Sequence, residues 1–458
     1  MQITKTKKTI IILGAVLMTA TVQLSSAGLN NTMYSILNSM DGLQYYALLA
    51  VLSSLGMAIM TVVGGRLGDQ FGRKNITLFG AILSLTCMII MGVASNLWVF
   101  IISRGLLSFG IGFFLANPFA IIADICSREE FPKYSGLLQA TLMAATFIGS
   151  TVAGYLVGAG MSSVAIIYPG VVALVGAIMV YISMPKFEKP DRKMKIDYAG
   201  MVLVAVFMLS LCLSLNFGGT MGFTDPIIIG GLALSIVSAI VLVKVENKAS
   251  QPAVPIYLLK NTRFTGVCLL GAFIALYEVV MASYVPVTGQ ALMGLSAATT
   301  GYFTLPRTIL AIVLPAFAAK WVVKNQVKNA RKGLIIGGLI VTCSFVAMIF
   351  VGEGSPVFLP FILMGVTGIH EALKGVSQRP LAAMELEAKD MGVGIGMMSC
   401  FSTLVMTILL SLTSPVYTKI SAADLSAALR FMYVCTALSA IIGVLIAVFA
   451  LKEKNSDE

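Results

Sequence analysis

Charge is scarce in this chain. Of its 458 residues only 11% are Asp, Glu, Lys or Arg, while 58% are hydrophobic, and the mean hydropathy is +0.94. A water-soluble protein so poor in charge would expose oil and aggregate, which excludes that class. Histidine occurs once, at His370. A zinc helix needs two histidines as H-E-x-x-H, but in GIHEALKG (368–375) Lys374 stands in the second place. The seven cysteines are scattered, mostly within apolar stretches, with no CxxC, so neither a disulfide framework nor a thiolate metal site is indicated. An intramembrane enzyme would need a convergent nucleophile and base, or a metal dyad; the residues offer neither. The chain is read as a non-enzyme with no cofactor and no metal. A sensory or structural membrane protein would carry soluble domains, and the connections are too short for one.

Long apolar runs fill the space that charge leaves. Roughly 20 apolar residues in a helix cross a bilayer, and fourteen such runs are present, near 9–36, 44–66, 76–95, 97–124, 136–159, 163–184, 198–217, 226–244, 264–288, 297–320, 333–352, 357–378, 390–415 and 427–450. The pattern predicts an all-α integral membrane protein. Placing the N-terminus inside leaves only Lys419 and Arg430 in or beside outer loops, and Arg104 and Arg307 within runs; the remaining Lys and Arg gather at inner ends and loops. That bias is the positive-inside pattern. It predicts a multi-pass protein of the cell membrane with both termini cytoplasmic, and it accounts for the net charge of +11 without a nucleic-acid partner. The basic stretch Met1–Lys8 before the first run is expected to precede an uncleaved first helix rather than a cleaved signal peptide.

Two longer inner connections, MPKFEKPDRKMKID (184–197) and the Pro-containing stretch 245–263, bracket runs seven and eight. They divide the chain into an N-terminal six-helix bundle (1–184), a linker with two extra helices (185–263) and a C-terminal six-helix bundle (264–458). Internal symmetry of this kind belongs to transporters built from repeats, with substrate bound near the midplane.

Between runs two and three lies GGRLGDQFGRKN (64–75). Glycines there permit a tight turn and the cations mark the inner face. An acid in that setting needs a reason. Asp69 can pair with Arg73 or accept from a helix N-terminus, and Asp124 at the inner end of the fourth run is a second partner for Arg73. The expected device is a conformational latch built from Gly65, Gly68, Asp69, Gly72, Arg73 and Asp124, against the simpler reading of a solvated turn. The stretch closely resembles the signature loop of the major facilitator superfamily. SRGLLSFGIGFFLANP (103–118) resembles that family's fourth-helix motif, with Arg104 in the place of its intramembrane arginine and Phe109 in the place of its glutamine. IGSTVAG (148–154) is similar to the fifth-helix antiporter motif: Gly149 and Gly154 match, while Ser150 stands where proline is usual. IDYAG (196–200), PAVPIYLLKNTRF (252–264) and TGYFTLP (300–306) are similar to segments of the fourteen-helix drug:proton antiporter branch. The resemblance implies a major-facilitator-type fold of two six-helix bundles plus an inserted pair. That branch commonly has L-D-x-T in its first helix; here LNNT (29–32) puts Asn30 at the acid's place. Asn hydrogen-bonds but carries no proton, so any proton coupling must use another carboxylate.

Glu278, inside FIALYEVVMASYV (273–285), is the leading candidate. An ionisable group at the bilayer centre costs roughly 2.5–3.5 kcal/mol on insertion scales and therefore tends to face a cavity or a partner. Two readings stand side by side: a proton- and substrate-coupling carboxylate, or a static pair with Arg307 of the next run. Tyr277, Met281 and Tyr284 are expected to share its face and suit an aromatic or apolar cation. His370 and Glu371 offer a further proton relay; Glu371 is also placed to pair with Lys374 at i,i+3 near the inner surface. Gln23 and Asn30, seven apart, are expected to line the cavity or to pack between helices. Arg104 sits within a run without an evident acid and is assigned to proton coupling. Together these residues predict a monomeric, proton-coupled exporter of amphipathic or cationic small molecules, a multidrug-type efflux antiporter working by alternating access, whose partners are its substrate, protons and the lipid bilayer. A proton-linked importer or an organic-anion transporter of the same fold is the alternative, since Arg104 and Arg307 can attract an anion.

Overall fold

The computed structural model describes residues 4–127, 130–185, 197–248, 256–386 and 391–451. The side chains of a few residues inside helices, Gly65, Arg66, Asp69 and Gln70 among them, lie outside the described set. All regular structure among the described residues is helical: α1 (Lys5–Asn38), α2 (Tyr46–Phe71), α3 (Arg73–Gly92), α4 (Leu97–Ile125), α5 (Phe131–Gly158), α6 (Ser162–Ser183), α7 (Tyr198–Met221), α8 (Pro226–Glu246), α9 (Thr262–Val287), the short α10 (Ala297–Gly301), α11 (Leu305–Lys324), α12 (Gln326–Met348), α13 (Phe358–Met384), α14 (Met391–Ser421) and α15 (Leu425–Phe449). Each expected apolar run coincides with a helix, the tenth being shared by α10 and α11. Among the described residues, twelve segments are long and apolar enough to cross a membrane. The two runs outside that set are α2 and α13, and α13 carries Glu371, Lys374 and Arg379 along its length. Fourteen crossings is therefore kept as a proposal.

The chain divides into two compact units, Met1–Met201 with Ser296–Gly301, and Val202–Leu295 with Tyr302–Glu458. In the first, α1 packs on α5 and α6, α2 and α3 on α4, and α3 on α6. In the second, α9 packs on α14 and α15, α11 and α12 on α13, and α12 on α15. With α9 and α11–α15 taken as first to sixth helices, the two pairing schemes are the same. The pair α7 and α8, set apart by the sequence as a linker, groups with the second unit. There Asn216 of α7 donates to Ser414 Oγ of α14 at 2.6 Å.

Helices pressed together in lipid gain from van der Waals contact, which favours small residues at the seams. A Cβ on Gly14 of α1 would lie 2.6 Å from the Gly176 carbonyl of α6, and one on Gly149 of α5 would lie 2.6 Å from Leu24 Cα. The outward faces are apolar instead: Ile229, Leu234, Ile236, Val237 and Ile240 of α8 are all exposed, as suits hydrocarbon. The stretch GGRLGDQFGRKN is less of a loop than expected. α2 continues through Phe71, and the chain turns on Gly72 alone, whose φ of +86° suits glycine.

Candidate functional site

The charged centre of the second unit is assembled from α9, α11 and α13. α9 starts on Asn261, whose side chain accepts from the amides of Arg263 and Phe264 at 3.1 Å each, as a capping residue should. A helical step of 100° then separates Glu278 from its neighbour. Tyr277, Met281 and Tyr284 form a stripe at i, i+4 and i+7 that is buried, with exposures of 0%, 6% and 0%, whereas Glu278 is partly exposed with Val279 and Ala282. The expectation that all four share one face is corrected by this rotation. Tyr284 stacks edge-on against Tyr417 at 4.9 Å, and the Met281 sulfur accepts from Thr367 Oγ1 at 3.7 Å.

The ion pairs also differ from those expected. Arg307 of α11 pairs with Glu371 of α13 at 3.1 Å, not with Glu278. Glu278 pairs instead with Lys374, which reaches across from α13. The Glu371–Lys374 pair expected within one helix gives way to these two, because α9 and α11 both present their charges to the same face of α13. Tyr277 ties the cluster: its hydroxyl donates to Glu371 Oε2 at 2.7 Å and accepts from Arg307 Nη2 at 3.3 Å. Two carboxylates and two cations balance. The Arg307 and Glu371 side chains are 7% and 17% exposed, and those of Lys374 and Glu278 25% and 37%, so the network runs from a buried end to a more exposed one at Glu278. His370 is buried, with its ring edge-on to Tyr277 at 5.1 Å and packed over Gly337. Neither ring nitrogen hydrogen-bonds to a described residue.

In the first unit, Arg104 of α4 is 1% exposed. Its Nη2 donates to Asn30 Oδ1 at 3.4 Å, so the structure brings these two sequence candidates together. Gln23 and Asn30 lie on one partly exposed stripe of α1. Where α3 begins and α4 ends, Arg73 pairs with Asp124 at 2.8 Å and donates to the Ala120 carbonyl at 2.6 Å. Gly68 is needed beside them, because a Cβ there would lie 2.4 Å from Asn117 Oδ1. Of the expected latch, Gly65 and the side chain of Asp69 lie outside the described residues. Nearby, Lys8 donates to Glu130 at 2.5 Å. That bond, aided by the Ser127 amide, holds the Glu130 carboxyl below its ordinary range.

The fifth-helix stretch is also a packing junction. Asn31, next to Asn30 but a helical step away, donates to the carbonyls of Ser150 at 3.1 Å and Ala297 at 2.7 Å and accepts from Thr300 at 2.8 Å. Gly154 lets α10 approach, since its Cβ would meet the Ala297 carbonyl oxygen at 2.5 Å. Asn31 is the participant that the sequence reading missed, whereas Lys374 was expected beside Glu371 and pairs with Glu278 instead. The signal for Asn31 was present in the doubled asparagine of LNNT.

Paired six-helix repeats, apolar outer faces and charges balanced inside a helical unit define a polytopic membrane transporter. The Major Facilitator Superfamily model matches residues 11–408, and the chain belongs to that family. It is 26% identical to the multidrug transporter protein MdtP of Bacillus subtilis (strain 168) over 366 residues, 76% of this chain and 68% of that protein. It is also 26% identical to multidrug resistance protein 3 of the same organism over 380 residues, 81% and 72% of the two chains. Among solved structures, a POT family transporter in complex with 5-aminolevulinic acid superposes with a TM-score of 0.73 at 12% identity, covering 97% of each chain. That likeness speaks for the fold alone.

Proposed function

We propose that this transporter is a proton-coupled exporter of amphipathic or cationic small molecules, working in the cell membrane by alternating access. The observation that carries the reading is the Glu278–Lys374 pair at the more exposed end of an otherwise buried, charge-balanced network. Protonating Glu278 leaves Lys374 without its counter-charge. Placing a cationic substrate against Glu278 displaces Lys374 and leaves the same excess of one positive charge. Two extra positive charges at once would be far costlier in a medium of low dielectric. Proton and cation therefore exclude each other at one carboxylate, which is the minimum that antiport requires. Beside it, Glu371 is engaged by the Tyr277 hydroxyl and by Arg307. The names of the relatives, a multidrug transporter and a multidrug resistance protein, support substrates of this broad kind.

The test uses everted membrane vesicles with an imposed pH gradient. Lipophilic cations, neutral drugs and organic anions are added in turn, with wild type and Glu278→Gln side by side. Collapse of the gradient by cations in wild type, absent from Glu278→Gln, is the expected result. Equal collapse in both would remove Glu278 from the coupling step.

A further inference from the structure

The four charges gathered between α9, α11 and α13 balance; Arg104 in the first unit pairs with no acid among the described residues. It is 1% exposed. A guanidinium carries five N–H donors. Here one of them reaches Asn30 Oδ1, at a long 3.4 Å, while Nε has no described acceptor. Tyr46 of α2, 4% exposed, is the titratable group beside it, and a neutral phenol does not cancel a charge. Buried cations are ordinarily paired, because a lone one is costly to keep out of water.

The position is also reachable. Between Met18 and Tyr34 of α1, every residue is buried except Ala20, Gln23, Ser26, Asn30 and Tyr34. Those five recur every three or four residues and form one stripe. Four of the five are polar, unlike the Ile, Leu and Val that α8 presents outward, so the stripe is built for water or ligand and not for hydrocarbon. Asn30 stands between it and the buried guanidinium. Its carboxamide has both an acceptor and an NH2 donor, and turning it over presents the donors while freeing the guanidinium fork.

We propose that Arg104 and Asn30 form a receptor for a small monovalent anion, either the carboxylate of a transported molecule or a halide ion, entered along the polar stripe of α1. The guanidinium fork matches two carboxylate oxygens, and the Asn30 amide adds a third donor. The site is argued from the first unit and does not rest on proton exchange at Glu278. Because its test measures binding without a gradient, failure here leaves the coupling reading standing.

The full-length protein, purified in detergent, is unfolded by heat in the presence of increasing sodium butanoate or sodium chloride. Wild type is compared with Asn30→Asp, which places a permanent carboxylate against Arg104, and with Arg104→Gln, which removes the charge. A saturable rise in the unfolding midpoint of wild type, absent from both variants, is expected. Asn30→Asp should also begin from a higher midpoint than wild type at low salt. If Asn30→Asp fails to fold, Arg104→Gln carries the comparison, since it leaves no charge needing a partner. A response to butanoate alone assigns the site to a carboxylate-bearing substrate, and a response to chloride assigns it to an inorganic ion. Shifts of equal size in wild type and Arg104→Gln, or no saturable shift in wild type, overturn the proposal.

Discussion

At the residue scale, on the reading proposed above, Lys374 occupies the place that a cationic substrate would take beside Glu278. Its ammonium is a compact point charge on a flexible four-carbon stem, so it can swing away from Glu278 without dragging α13 along. Removing it should open the carboxylate to outside cations. Lys374→Gln is expected to bind tetraphenylphosphonium about tenfold more tightly, equivalent to about 1.4 kcal/mol, as read by equilibrium dialysis of the purified protein. Unchanged or weaker binding would show that Lys374 is not an internal competitor. Arg307 differs in kind: it is more buried, planar and tied to both Glu371 and Tyr277, which suits a fixed brace better than a moving part.

At the scale of elements, the close seams decide which helices can slide. Gly154 is the sharpest case, because the atoms its Cβ would meet, at 2.5 and 2.7 Å, are the backbone oxygen and carbon of Ala297. Backbone cannot yield as a side-chain tip can, so α10 has to move off α5. Gly154→Val is expected to cost about 1–3 kcal/mol, as overpacked interiors do. It should also speed the labelling of a cysteine introduced at Ala298 by a membrane-impermeant maleimide. Unaltered labelling would mean that the Asn31 hydrogen bonds alone hold α10 in place.

At the scale of the whole molecule, transport requires states that differ little in energy, and weak surface pairs suit that need better than strong buried ones. Arg73 and Asp124 have side chains 23% and 30% exposed, and pairs in such settings contribute about 0–1 kcal/mol. Asp124→Asn should therefore leave the unfolding midpoint nearly unchanged. If the pair is the proposed conformational latch, the initial rate of substrate movement in vesicles is expected to fall several-fold. A large drop in the midpoint with an unaltered rate would make the pair a structural contact and nothing more.

The sequence by itself determined that this is a polytopic helical membrane protein. Apolar runs of bilayer length, Lys and Arg gathered on one side, and a Gly-rich basic turn at 64–75 are each local, and hydrocarbon leaves the backbone few alternatives to a helix. The candidates Glu278, Arg307, Glu371, Asn30 and Arg104 were also legible, since an ionisable or amide group inside an apolar run stands out by its cost. Their partners were not. Spacing along one helix suggested Glu371 with Lys374, and similar depth suggested Glu278 with Arg307. Only the packing of α9 and α11 against α13 decided the actual pairs, Glu278 with Lys374 and Arg307 with Glu371. The same holds for Tyr277, Met281 and Tyr284, which a helical step of 100° turned into the core while Glu278 stayed partly exposed. Periodicity records which side of a helix is oily. Which neighbour stands opposite that side is a property of the tertiary structure, because charges pair through space and not along the chain.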